Sequence, residues 1–176
     1  MSGRSGWRTR GAASSDWDHF RALAVRAATE AEDQPRSAAG HYEAALALVR
    51  DKPFAGIKTG YGWADAEGLI TAMETHIETA AVAAARLRLR HGEPDAAVLT
   101  LGRVLRHLPQ SRRLQEQLLA TAAAAGPDEL ERAWRRVQAA DDDQDLRRLH
   151  QELTDSRPWL RNGRSRAQGR DLSLDG

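Results

Sequence analysis

The chain has 176 residues, no cysteine and a formal net charge of +1, which excludes disulfide frameworks, thiolate nucleophiles, iron–sulfur clusters and cysteine-ligated zinc together. Thirty-two residues are alanine, only three are isoleucine and 5% are aromatic, a composition that favours helices packed closely through small side chains over a β-rich fold. The net charge hides a partition: residues 14–156 carry 18 basic and 23 acidic residues, a net of −5, with Arg4, Arg8 and Arg10 in front and Arg157, Arg161, Arg164, Arg166 and Arg170 behind.

No apolar run approaches the roughly 20 residues needed to span a bilayer, and the leading arginines are not followed by an apolar segment of about 7–15 residues. An all-α, soluble, cytoplasmic protein without membrane insertion is expected. Residues 1–13 and 156–176 are expected to be disordered basic arms. Their Gly, Ser, Arg and Gln content offers little apolar area against an ordering cost of about 1–2 kcal/mol per residue. Residues 14–155 are expected to form one helical repeat domain.

The first helix is predicted to start near Ser14 or Ser15, where a hydroxyl can cap free N–H groups and Asp16 and Asp18 complement the positive helix end. Trp17, Phe20, Leu23, Ala24 and Ala27 form its apolar stripe, to about Asp33. Pro35 suits the first turn of a second helix, whose inner face is Tyr42, Ala45, Leu46 and Val49. Between Asp51 and Gly62, DKPFAGIKTGYG breaks helical periodicity, while Phe54, Ile57 and Tyr61 are apolar enough to pin this loop to the body.

A long helix is predicted from about Trp63 to His91, with Trp63, Ala66, Ile70, Met73, Ile77, Ala81, Ala84 and Leu87 on one stripe and Gly68 as its one weak point. Gly92 ends it and Pro94 opens a fourth helix, with Ala97, Leu101, Val104, Leu105 and Leu108 facing the core up to Pro109. The fifth spans about Ser111 to Ala125 through Leu114, Leu118 and Ala122. Gly126 and Pro127 then introduce a sixth through Leu130, Trp134 and Val137. After Asp141–Asp143 comes a short last helix with Leu146, Leu149 and Leu153.

Gly92 and Gly126 lie 34 residues apart, each ending one helix just before a proline that begins another. Thirty-four is the period of tetratricopeptide repeats. Gly92, Ala97, Leu101 and Pro109 fit the second half of that repeat; in the first half, Ala81, Ala84, Ala85 and Arg88 replace its Trp, Leu, Gly and Tyr. The predicted architecture is therefore tetratricopeptide-like, about six to seven helices in hairpins, with a plain helical bundle as the alternative. Stacked hairpins leave a groove, expected on the polar faces of the second, fourth and sixth helices.

The runs DWDHFRALAVRA, HYEAALALVRDKPFAGI, YGWADAE and RLRLRHGEPDAAVLTLGRVLRHLP, taken in order, resemble the bacterial transcriptional activator domain of actinobacterial antibiotic-regulatory proteins and their relatives. The resemblance covers about residues 14–140. Its most specific part joins Leu46, Leu48, Pro53, Phe54 and Gly56 to Trp63, Ala64 and Glu67. It implies a non-enzymatic, tetratricopeptide-like scaffold for contacts with a protein partner or neighbouring domain, in transcriptional regulation or signalling. About thirteen polar residues precede the first helix, so no winged-helix DNA-binding domain of its own is expected. Similar modules also end large envelope-associated proteins with peptidoglycan-binding repeats, so a detached C-terminal module of that kind is an alternative. The 24 arginines against 2 lysines agree with a GC-rich actinobacterial source.

No arrangement of residues points to catalysis, a cofactor or a metal. His19, His41, His76, His91, His107 and His150 show no HExxH or His-x3-His spacing, and Glu74 and Glu78 share a helix face that His76 leaves. Asp141, Asp142, Asp143 and Asp145 lack the central glycine and terminal glutamate of a calcium loop, so Asp142 or Asp143 is read as the cap of the last helix. GIKTGYG has neither phosphate-loop spacing nor a preceding strand, which leaves Lys58 and Thr59 without a role. Trp63 and Trp134 are assigned to packing. Trp159, flanked by Arg157 and Arg161 in a polar tail, is the candidate partner contact, and the arginine-rich ends are an alternative, weak nucleic-acid-binding surface.

The loop between the second and third helices is expected to clamp rather than to bind. Replacing Phe54 with alanine should remove a buried ring and cost about 3–5 kcal/mol of stability. Thermal melting measures this, and a melting temperature within about a degree of the parent would make the ring an exposed recognition element instead.

Overall fold

Apolar residues at three- and four-residue spacing, with few β-branched ones among them, give seven helices among the described residues, which are 9–10, 14–50, 68–140 and 143–156 of the computed structural model. They are α1 (Asp16–Glu30), α2 (Pro35–Leu46), α3 (Leu69–Arg90), α4 (Pro94–Leu105), α5 (Arg112–Ala125), α6 (Pro127–Gln138) and α7 (Gln144–Asp155). A two-residue antiparallel ladder, β1 (Thr9–Arg10) on β2 (Ser14–Ser15), precedes α1. The fold is all-α. No helix of the described residues is long and apolar enough to cross a membrane.

The even-numbered helices share one way of starting. Pro35, Pro94 and Pro127 occupy the first turns of α2, α4 and α6, none of which has a side-chain cap. Proline lacks one of the N–H groups a helix start leaves free, and its ring presets φ. Two odd-numbered helices use side chains instead: the Leu114 N–H donates to Ser111 Oγ (3.3 Å) at the start of α5, and the Asp145 and Leu146 N–H groups donate to Asp143 Oδ1 (2.7 and 3.3 Å) at α7. Asp143 is thus the cap.

Gly92 closes α3 in the left-handed conformation, φ 72°. The Glu93 N–H bonds back to the Arg88 carbonyl and the Gly92 N–H to Leu89, both at 3.0 Å, which satisfies two carbonyls that the helix end leaves open. The expectation of one helix running from Trp63 through Gly68 is corrected. Gly68 has φ 67° and ψ 16°, a left-handed backbone that no right-handed helix passes through, and it is the residue from which α3 starts. Residues 51–67, with the predicted clamp Phe54, Ile57 and Tyr61, lie outside the described residues.

The helices stack in two layers. Each helix from α1 to α5 packs on the next, and α3 also meets α5 as α5 meets α7. The Trp17 ring of α1 meets His76 of α3 edge-on at 5.7 Å. The odd helices thus lie side by side. A continuous core joins the layers through Phe20, Ile77, Leu101, Leu114, Leu118, Leu119, Val137 and Leu146, all fully buried. Trp17 stacks on Phe20 at 5.0 Å with the rings 10° apart.

Two glycine substitutions should move stability in opposite directions. Gly92→Ala meets no neighbouring atom but forces a side chain into the left-handed region, and is expected to cost about 1–2 kcal/mol. Gly40→Ala, inside α2 with open space around it, is expected to add up to about 1 kcal/mol. Urea denaturation of the two variants against the parent checks both signs.

Candidate partner-binding groove

Three polar ties set the positions of the helices. Arg88 of α3 donates from Nε and Nη2 to the two carboxylate oxygens of Glu43 on α2, at 2.8 and 2.6 Å, and from Nη1 to Glu93 before α4, at 2.7 Å. The hydrogen bonds to Glu43, then to Glu93, raise the Arg88 pKa above its ordinary value; the Arg88 bond in turn lowers that of Glu93. One planar guanidinium therefore registers three helices. Arg88 stands where the tetratricopeptide pattern has its tyrosine.

The second tie positions α7. Arg112, at the start of α5, bonds Glu116 one turn on at 2.7 Å, the cap residue Asp143, and Asp145 at 3.9 Å. The Asp143 carboxylate is held below its ordinary pKa first by the Asp145 N–H and further by that of Leu146 and by Arg112. The third tie is Gln115, buried in α5, whose Nε2 donates to the Pro109 carbonyl at 2.9 Å and fixes the turn from α4.

These ties leave an open groove of about 570 Å³ on the odd layer. Val82 and Arg86 of α3 form one side, Arg112, Arg113, Glu116, Gln117 and Ala120 of α5 the floor, and Asp145, Arg148, Leu149 and Glu152 of α7 the other side. This groove is lined by the odd-numbered helices, whereas the sequence placed one on the polar faces of the second, fourth and sixth. The even helices are joined across their layer by long polar side chains: Arg36 reaches Glu93 at 4.0 Å, Thr100 reaches Glu43 at 3.4 Å, and Arg136 of α6 lies over Gly102 of α4.

The structure places the sequence-predicted residues as follows. Ala97 and Leu101 are fully buried in α4, and Pro109 is half-buried in the turn that Gln115 holds. Trp134 is half-buried and stacks on His150 of α7 at 4.7 Å, which joins α6 to α7. Glu74 and Glu78 line a smaller hollow of about 210 Å³ with the turn 108–111. His41 Nδ1 is 2.9 Å from Glu30 Oε2. Among the described residues no group of three or more histidines and carboxylates is placed to hold a metal. Phe54, Gly56, Lys58, Thr59, Trp63, Asp141, Asp142, Arg157, Trp159 and Arg161 lie outside the described residues.

Sequence reasoning missed the convergence of Arg86, Arg113 and Arg148. Each is an ordinary exposed arginine on its own helix, and helical period carries no signal about which helices become neighbours. Compared with known protein families, curated proteins and solved structures, the chain matches none.

The Trp134–His150 stack makes the docking of α7 sensitive to pH. Burial lowers the His150 pKa from its ordinary value, opposed by Glu131 at 3.9 Å. The unfolded chain therefore takes up this proton more readily than the folded one. The His150 contribution is complete above about pH 7, falls as pH drops through the unfolded value near 6.5, and is gone below the folded value. Urea melts at about pH 7.5 and pH 5 should show a larger loss for the parent than for His150→Phe, which keeps the stack without the titration.

Proposed function

We propose that this chain is a non-enzymatic protein-interaction module of the bacterial transcriptional activator type. Its helical hairpins are tetratricopeptide-like and serve transcriptional regulation or signalling. The observation that carries the reading is the two-layer stack with an open groove along α3, α5 and α7. A layer of side-by-side helices presents one continuous surface to a partner segment, which stacked-repeat scaffolds use for binding. The 34-residue step adds support, because Gly92 and Gly126 both fall between helices, directly ahead of the proline-led α4 and α6. So does the resemblance of residues 14–140, which points to the same class of scaffold.

Site-specific crosslinking tests the reading. A photoreactive residue at Ala120, exposed in the groove, should trap a discrete protein adduct in cells of the native host. One at Ala44, exposed on α2, should not. Adducts at neither position, or equal and heterogeneous adducts at both, would count against an interaction module.

A further inference from the structure

The groove contains four arginines and three carboxylates, but they are not equivalent. Arg112 is held by Glu116, Asp143 and Asp145, so its charge and two of the groove's carboxylates are already matched. Arg86, Arg113 and Arg148 take part in no ion pair among the described residues, and Arg113 only donates to the Thr79 hydroxyl at 3.2 Å. They come from three different helices, α3, α5 and α7, and meet along one cleft. Glu152 is the single carboxylate of the groove left without a cation. Ala120 and Leu149 supply apolar surface between the charges.

Clefts with an excess of unmatched charge of one sign, here three arginines against Glu152, concentrate and orient oppositely charged ligands. Guanidinium groups pair with carboxylates through two parallel hydrogen bonds, which adds geometry to attraction. We propose that the groove takes a short acidic peptide segment of a partner protein. Its carboxylates lie against Arg86, Arg113 and Arg148, and an aliphatic side chain rests on Ala120 and Leu149. This rests on the interaction-module reading and specifies the chemistry of its partner. The alternative anion, a nucleic-acid backbone, fits less well: Glu116, Asp145 and Glu152 are interleaved with the arginines. A continuous row of phosphates would meet those carboxylates, whereas a peptide with a few spaced acids avoids them.

The test is fluorescence anisotropy on the full chain with a dye-labelled peptide of alternating glutamate and leucine, against counterparts with serine or lysine in place of glutamate. The glutamate peptide should bind and the others should not, and added salt should weaken binding. The double variant Arg86→Glu/Arg148→Glu should lower affinity about tenfold or more and gain binding of the lysine peptide. Arg103→Glu, on the exposed face of α4, should change nothing. Thermal melting identifies any variant that fails to fold, and Arg148→Gln then replaces the reversal. Equal binding of the serine peptide, indifference to the groove arginines, or tighter binding of single-stranded DNA with the same arginine dependence would overturn the proposal. If no acidic peptide binds while Ala120 still traps a protein, the partner chemistry is wrong and the interaction module stands; if both fail, neither stands.

Discussion

The dense packing of each helix on the next is what the rest of the structure depends on, and buried alanine makes it possible. Ala80, Ala81, Ala84 and Ala85 of α3 and Ala122 and Ala123 of α5 are at most 2% exposed. An alanine loses no side-chain rotamer freedom on burial and favours helix more than any other residue. Its small volume lets backbones approach where leucine would hold them apart.

Small residues bury little area each, and specificity of register has to come from elsewhere. Arg88 contributes it by bonding both carboxylate oxygens of Glu43 and one of Glu93. A half-buried charge is tolerated only when paired and hydrogen-bonded. An apolar contact of equal size could match its stabilisation. It would not dictate which turn of α2 lies opposite which turn of α3, because hydrophobic attraction has no direction. Arg112 acts similarly at the other end of the stack, where it holds the capping carboxylate of α7 as well as its own helix neighbour Glu116.

The groove follows from these two features together. α5 meets both α3 and α7 on one side of the stack, and Arg112 ties α7 to the start of α5. The charges left over are those of Arg86, Arg113 and Arg148, which take part in no ion pair among the described residues.

Much of the secondary structure could be read from residue order. The proline starts at Pro35, Pro94 and Pro127, the stop at Gly92 and the caps at Ser111 and Asp143 are local devices, set by missing N–H groups, positive φ and short polar side chains within a few residues. Leu101, Leu114, Leu118, Val137 and Leu146 were recognisable as core by spacing alone. Gly68 was misread as a weak point inside a helix, because a glycine's backbone conformation is not encoded by its identity. The side of the stack that holds the groove, the three helices bridged by Arg88 and the meeting of Arg86, Arg113 and Arg148 were decided only by tertiary structure. Periodicity states which face of a helix is apolar, but the pairing of faces depends on contacts between residues far apart in the chain, such as Glu43 with Arg88, and no local pattern specifies those.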